Sequence, residues 1–219
     1  MREKERFQCL NAQAVFSRMS GGTGAVMVQS PSMGQQQGPC VPKITGHARK
    51  TKSSTQQVKN MKKADIGITP KQTGIIADML KPLLADEFLL YLKTRNAHWN
   101  IEGPDFHTIH VYFEQLYTEL ETVVDDVAER IRKIGHYAPA TMKEYLSLTH
   151  LTEGTGKKND SISYMKALLS DHDAIIVYLR ESIHVLGREV ELAYGTSDYL
   201  TSLMEQHETT AWMLRSHLK

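Results

Sequence analysis

His98, His107 and His110 fall within thirteen positions in the segment AHWNIEGPDFHTIH, with Trp99 beside the first and a Gly-Pro break after it. Glu114, Asp125 and Glu129 follow as polar positions in an apolar, periodic run. Imidazole and carboxylate together suit iron or manganese, with zinc also open, and the absence of cysteine from this region excludes a soft-metal thiolate site. On an ideal helix His110, Glu114, Asp125 and Glu129 project at about 0°, 40°, 60° and 100°, so they share one face. Each pair four residues apart, His110 with Glu114 and Asp125 with Glu129, can offer two donors to one ion. Taken singly, each acid reads as a solvated surface residue, and a lone His98 as a packed, hydrogen-bonded one. The joint pattern is what points to a metal.

The axial rise adds a constraint. Glu114 and Asp125 are eleven residues apart, about 16 Å along a helix axis, whereas metal–donor bonds span only about 2.0–2.6 Å. One copy of the helix cannot close both pairs around one ion, but an antiparallel second copy can, which makes two equivalent sites in a twofold dimer. His98 can fold back across the Gly-Pro turn to join His110. His107, close to the helix start, reads as a surface residue.

The elements that would carry these residues are helical. Thr69 and Pro70 form an N-cap and first-position pair. Apolar residues then recur from Ile75 through Leu92, with Pro82 expected to kink this run or split it. Glu102-Gly-Pro ends the first helix, and Asp105 can start the second, which carries apolar positions from Ile109 to Ile131 and stops at Gly135. The connection HYAPATMKEYLSL has room for one short helix. Asn159, Asp160 and Ser161 offer caps for a third long helix through Val190, and Gly195 with Thr196 are expected to separate it from a fourth, Tyr199 to Leu218. No useful β-alternation occurs, so the expectation is an all-α four-helix bundle. An intra-bundle di-iron site needs Glu-x-x-His on two helices. Only Glu181-Ser-Ile-His184 matches, which makes such a site weakly supported.

The chain is electrically divided. Residues 1–63 hold eleven basic residues against two acidic ones, a net of +9, and the rest hold 15 basic against 23 acidic, a net of −8. The basic part is rich in Gly, Ser, Gln and Lys and lacks a sustained apolar period, so residues 1–64 are expected to be a disordered extension and 65–219 the folded domain. Met61 is an alternative start that would remove most of the arm. No apolar run is long enough to span a bilayer, no secretory signal is expected, and the two cysteines, Cys9 and Cys40, give no disulfide framework.

The run AHWNIEGPDFHTIHVYFEQLY, followed by DDVAERI, resembles the Dps family, the ferritin-like DNA-protection proteins of starved bacteria. The signature is His-Trp-Asn, a second histidine twelve residues later, an acid four beyond it, and Asp-x-x-x-Glu-Arg. Here these fall on His98-Trp99-Asn100, His110, Glu114, and Asp125 to Glu129-Arg130. Glu114 departs from the Asp that many members carry there. The resemblance covers roughly residues 70–219. It implies a ferritin-like bundle of up-down-down-up topology with a short helix in the long crossover, and a hollow twelve-subunit shell. It further implies that both chains of a twofold dimer hold iron through His98, His110, Glu114, Asp125 and Glu129, that Fe(II) is oxidised by hydrogen peroxide, and that ferric mineral is stored. Trp99 fits an electron donor or radical sink, with packing at the helix end as the equal alternative. Glu189, Glu191 and Asp198 are candidates for an iron-entry pore, and Lys50, Lys52, Lys59, Lys62 and Lys63 for DNA contacts. The family also implies a cytoplasmic, nucleoid-associated protein. A structural nucleoid-binding protein with little ferroxidase activity is the competing function.

Overall fold

The computed structural model describes residues 64–154 and 158–219, which form helices α1 (Pro70–Asn100), α2 (Phe106–Lys133), α3 (Met142–Leu148), α4 (Ser161–Glu189) and α5 (Tyr194–His217). The chain divides into two units, Met1–Lys50 and Thr51–Lys219. The first lies wholly outside the described residues, and the fold is that of the second. Residues 1–63 of the expected basic extension, and with them Lys50, Lys52, Lys59, Lys62 and Lys63, lie outside the described residues.

Local chemistry sets most helix ends. Thr69 caps α1: its hydroxyl accepts from the Gln72 backbone N–H, and the Gln72 side chain accepts in return from the Thr69 N–H. Asp160 caps α4 by accepting from Ser163 N–H at 2.8 Å. Gly135 adopts φ +88°, where its N–H bonds Arg132 O at 2.9 Å and closes α2. A side chain there would be strained by the φ and would also press on Ala64, 3.0 Å away.

Two expectations about the helices are corrected. Of the two outcomes expected at Pro82, the split does not occur: α1 runs on through it. A mid-helix proline costs about 3 kcal/mol, but Leu80, Leu83 and Leu84 around it are all buried, and each contributes about 1.5–3 kcal/mol. Burial outweighs the missing N–H. The break before the last helix is also earlier than expected. It falls at Val190–Ala193, and Gly195 and Thr196 lie inside the first turn of α5. The cause is a distant contact. Arg130 on α2 donates to Thr196 Oγ1 from Nη2 at 2.9 Å and from Nε at 3.3 Å. Thr196 is buried, and Gly195 leaves room for the guanidinium beside it.

α1 packs on α2, α4 packs on α5, and α1 also meets α3 and α4. The core they share includes Ile76, Leu80, Leu90, Phe113, Val127, Ile131, Leu168, Leu179, Leu186, Leu200 and Leu214. The crossover from α2 to α4 is pinned by Asp86, whose buried carboxylate accepts from Thr149 Oγ1, His150 N–H and His150 Nδ1–H at 2.7–2.8 Å. Phe88 stacks on Tyr145 of α3 with ring centroids 4.5 Å apart. Among the described residues no helix is long and apolar enough to cross a membrane.

Candidate metal centre

The end of α1 and the start of α2 meet across the turn at 101–105, and this brings His98 and His110 together. Their rings stack with centroids 3.8 Å apart. His98 Nδ1 lies 2.9 Å from the His110 carbonyl oxygen, and His110 Nδ1 lies 2.8 Å from that of His98. A carbonyl can only accept, so each Nδ1 carries a proton, and in the neutral ring each Nε2 is left with a lone pair. Each residue's backbone carbonyl thus fixes in the other ring the tautomer of a histidine that ligates through Nε2. Phe106 covers the other side of His110 at 5.0 Å. His98 is buried and His110 half-buried, so the pair sits at the edge of the bundle rather than in free solvent.

Glu114 lies one turn along α2 from His110 and is exposed. Its Oε1 accepts from the Tyr117 hydroxyl at 3.4 Å, and the Tyr117 ring stands edge-on to His98 at 5.1 Å. Asp125 and Glu129 lie far along the same helix, both exposed. Glu129 pairs with Lys133 at 2.9 Å, and Asp125 lines an open groove of about 650 Å³ with Phe88, Tyr91, Thr118 and Glu121. The structure therefore brings His98 and His110 together, with Glu114 one turn further along α2, and leaves Asp125 and Glu129 toward the other end of that helix. Among the described residues of a single chain, no group of three or more His, Cys, Asp or Glu side chains is placed to hold a metal ion. The donor types at each half nonetheless fit a hard or borderline divalent ion.

The other candidates are dispersed. Trp99 is 61% exposed and lies against Arg95, whose guanidinium carbon is 5.4 Å from its ring. His107, Glu181 and His184 are exposed. Glu189 lines a depression with Thr69, Lys71, Gln72 and Ile75, Asp198 lines a separate one with Tyr194, Gly195, Ser197 and Thr201, and Glu191 is exposed in the turn between α4 and α5. Within one chain these acids do not converge.

Three features were missed in the sequence. Around Arg95 gather Tyr91, Trp99 and Tyr117, with the guanidinium 4.5 Å from the Tyr117 ring centre. Tyr117 could have been found, because it is seven residues beyond His110 and so returns to the same helix face. Inside the bundle, His207 Nε2–H donates to Glu87 Oε1 at 3.0 Å while His207 Nδ1 faces His172 Nδ1 at 2.9 Å. All three residues are buried. Burial, and secondarily the neighbouring His207, pushes the His172 imidazole well below its ordinary pKa. The Asp86–His150 bond is the third feature. The latter two join residues from separate helices or the crossover, and no local spacing announces them.

Comparison with known proteins bears on the whole fold. The model of the ferritin-like domain family matches residues 77–219. The chain is 35% identical over 144 residues to "DNA protection during starvation protein 2" of Bacillus anthracis, which covers 65% of this chain and 96% of that one. It is 37% identical over 159 residues to a low temperature-induced protein of Nostoc sp., covering 73% of this chain and 88% of the other. The crystal structure of a Vibrio cholerae DPS protein, described as a member of a broad superfamily of ferritin-like diiron-carboxylate proteins, superposes with a TM-score of 0.67 at 30% identity, covering 73% of this chain and 98% of that one.

Proposed function

The chain belongs to the Dps family of ferritin-like proteins, and from that premise we propose that it oxidises Fe(II) with hydrogen peroxide and stores the ferric product. The observation that carries this reading is the reciprocal pair of Nδ1–H bonds between His98 and His110, which leaves the Nε2 atoms of the stacked, neutral rings free to bind a metal. With Nδ1 of both rings held by a backbone carbonyl, Nε2 is the atom of each ring left to bind a metal.

Iron is the substrate. His98 and His110 supply neutral nitrogen donors and fix geometry. Glu114 on the same chain, with Asp125 and Glu129 of a second copy, supplies negative charge, and negative charge favours the ferric over the ferrous state. The second copy is required by distance, since the two halves of α2 are about 16 Å apart. In this reading a second α2 lies against the open groove that Asp125 lines. Twofold dimers of this kind would build the dodecameric shell whose interior holds the mineral, with Glu189, Glu191 and Asp198 able to meet at a pore only between subunits. Peroxide reduced by two electrons at such a centre yields no hydroxyl radical, which protects DNA whether or not DNA is bound. Binding of DNA would fall to the basic arm, in a cytoplasmic, nucleoid-associated protein.

Anaerobic Fe(II) titration of the assembled protein tests the reading. Saturable binding, followed by fast oxidation on adding hydrogen peroxide, supports it. An absence of stoichiometric Fe(II) binding refutes it and leaves a helical scaffold.

A further inference from the structure

We propose that Tyr117 is the electron donor of this centre. It would reduce peroxide that meets a single bound Fe(II), so that no hydroxyl radical escapes. The proposal rests on the iron-oxidising reading above, and it assigns to Tyr117 the role for which Trp99 was the sequence-based candidate.

Three oxidisable rings, Tyr91, Trp99 and Tyr117, surround the Arg95 guanidinium. They differ in what happens to charge when an electron leaves. Removing an electron from an indole or a phenol creates a cation unless a proton leaves as well. Tyr91 presents its oxygen to Arg95 Nη1 as acceptor, so its hydroxyl faces a cation. Trp99 lies within 5.4 Å of the same cation, and a second positive charge on its ring is disfavoured there. The Tyr117 hydroxyl, in contrast, donates to the Glu114 carboxylate at 3.4 Å. Its proton can pass to that carboxylate as the electron leaves, which gives a neutral radical that Arg95 does not oppose. Tyr117 is also the ring in edge contact with His98 at 5.1 Å. It therefore touches two of the residues read as ligands, His98 and Glu114, and is half-buried between α1 and α2.

The step balances as follows. The O–O bond of hydrogen peroxide breaks and takes up two electrons. One comes from Fe(II), which becomes Fe(III), and the other from the Tyr117 phenol, which becomes a phenoxyl radical. Two hydroxides result, and one of them takes the phenolic proton by way of Glu114 to become water. Without the second electron, the same cleavage leaves one hydroxide and one hydroxyl radical.

The test uses the assembled protein, loaded without oxygen with one Fe(II) per chain and mixed with hydrogen peroxide. Freeze-quench electron paramagnetic resonance reads the radical type. A nitrone spin trap followed by peptide mass spectrometry reads its position in the wild-type chain, so the result does not depend on a variant folding. The expected result is a tyrosyl signal and an adduct on Tyr117. Y117F is expected to lose the signal and to release more trapped hydroxyl radical, whereas Y91F and W99F keep the signal. An adduct centred on Trp99 or Tyr91, or an undiminished signal in Y117F, would overturn the proposal. Fe(III) formation with no protein radical sinks the donor role alone. No Fe(III) formation at all sinks the iron-oxidising reading, and the donor role with it.

Discussion

Glu87→Ala is expected to destabilise the bundle by about 3 kcal/mol, although Glu87 is no part of the metal centre. Glu87 is fully buried and accepts from His207 Nε2–H at 3.0 Å, and His207 is itself 2% exposed. Removing the acceptor strands a buried N–H, which costs about 1–3 kcal/mol. The one lost methylene adds about 0.8 kcal/mol. Some of this is offset because Glu87 Oε2 has no hydrogen-bond partner among the described residues, so one poorly satisfied atom leaves with the side chain. At about 2–4 °C per kcal/mol for a domain of this size, Tm falls by about 6–12 °C. Calorimetry at a fixed protomer concentration measures this, since assembly itself raises Tm. The triple replacement of Glu87, His172 and His207 by leucine removes every member of the chain at once, and is expected to melt above the single variant. A fall of less than about 2 °C in Glu87→Ala, or a triple variant less stable than the single one, would refute the reasoning.

The same buried chain makes stability depend on pH. His172 keeps an imidazole pKa well below normal in the folded protein, through burial first and His207 second. The unfolded chain binds a proton there below about pH 6.5 and the folded one does not, so stability falls as pH drops below that value. This group contributes a slope of up to about 1.4 kcal/mol per pH unit. Denaturant midpoints of wild type and His172→Gln between pH 7.5 and 5 should therefore converge toward acid, and parallel curves would contradict the assignment. At the metal centre, His98→Ala is expected to lose tight Fe(II) binding in the anaerobic titration while still assembling, because the side chain sits at the bundle edge. Unchanged binding would remove His98 from the ligand set.

Much of this molecule was legible locally. Thr69 with Gln72, Asp160 with Ser163, and Gly135 each act within a few residues, so sequence spacing reveals them. His98 and His110 are twelve residues apart across one turn, which is close enough for the same logic. What was not legible depends on distant partners. Pro82 is carried through because Leu80, Leu83 and Leu84 are buried against other helices. Gly195 and Thr196 are drawn into α5 by Arg130, 66 positions before Thr196. The Glu87–His207 bond spans 120 positions, and neither residue carries a mark of its partner. The placement of Asp125 and Glu129 was read from the rise of a helix, and their function depends on a second chain.

That dependence is the central claim, and subunit mixing tests it most directly. One chain carries H98A and H110A, the other D125A and E129A, and neither oxidises iron alone. With random co-assembly half of the twofold dimers are mixed, and each mixed dimer holds one complete centre and one that lacks both halves. About a quarter of wild-type centres should return, and fast Fe(II) oxidation by hydrogen peroxide should return to the same fraction. Co-assembled shells that oxidise iron no faster than either parent would contradict a centre shared between two chains.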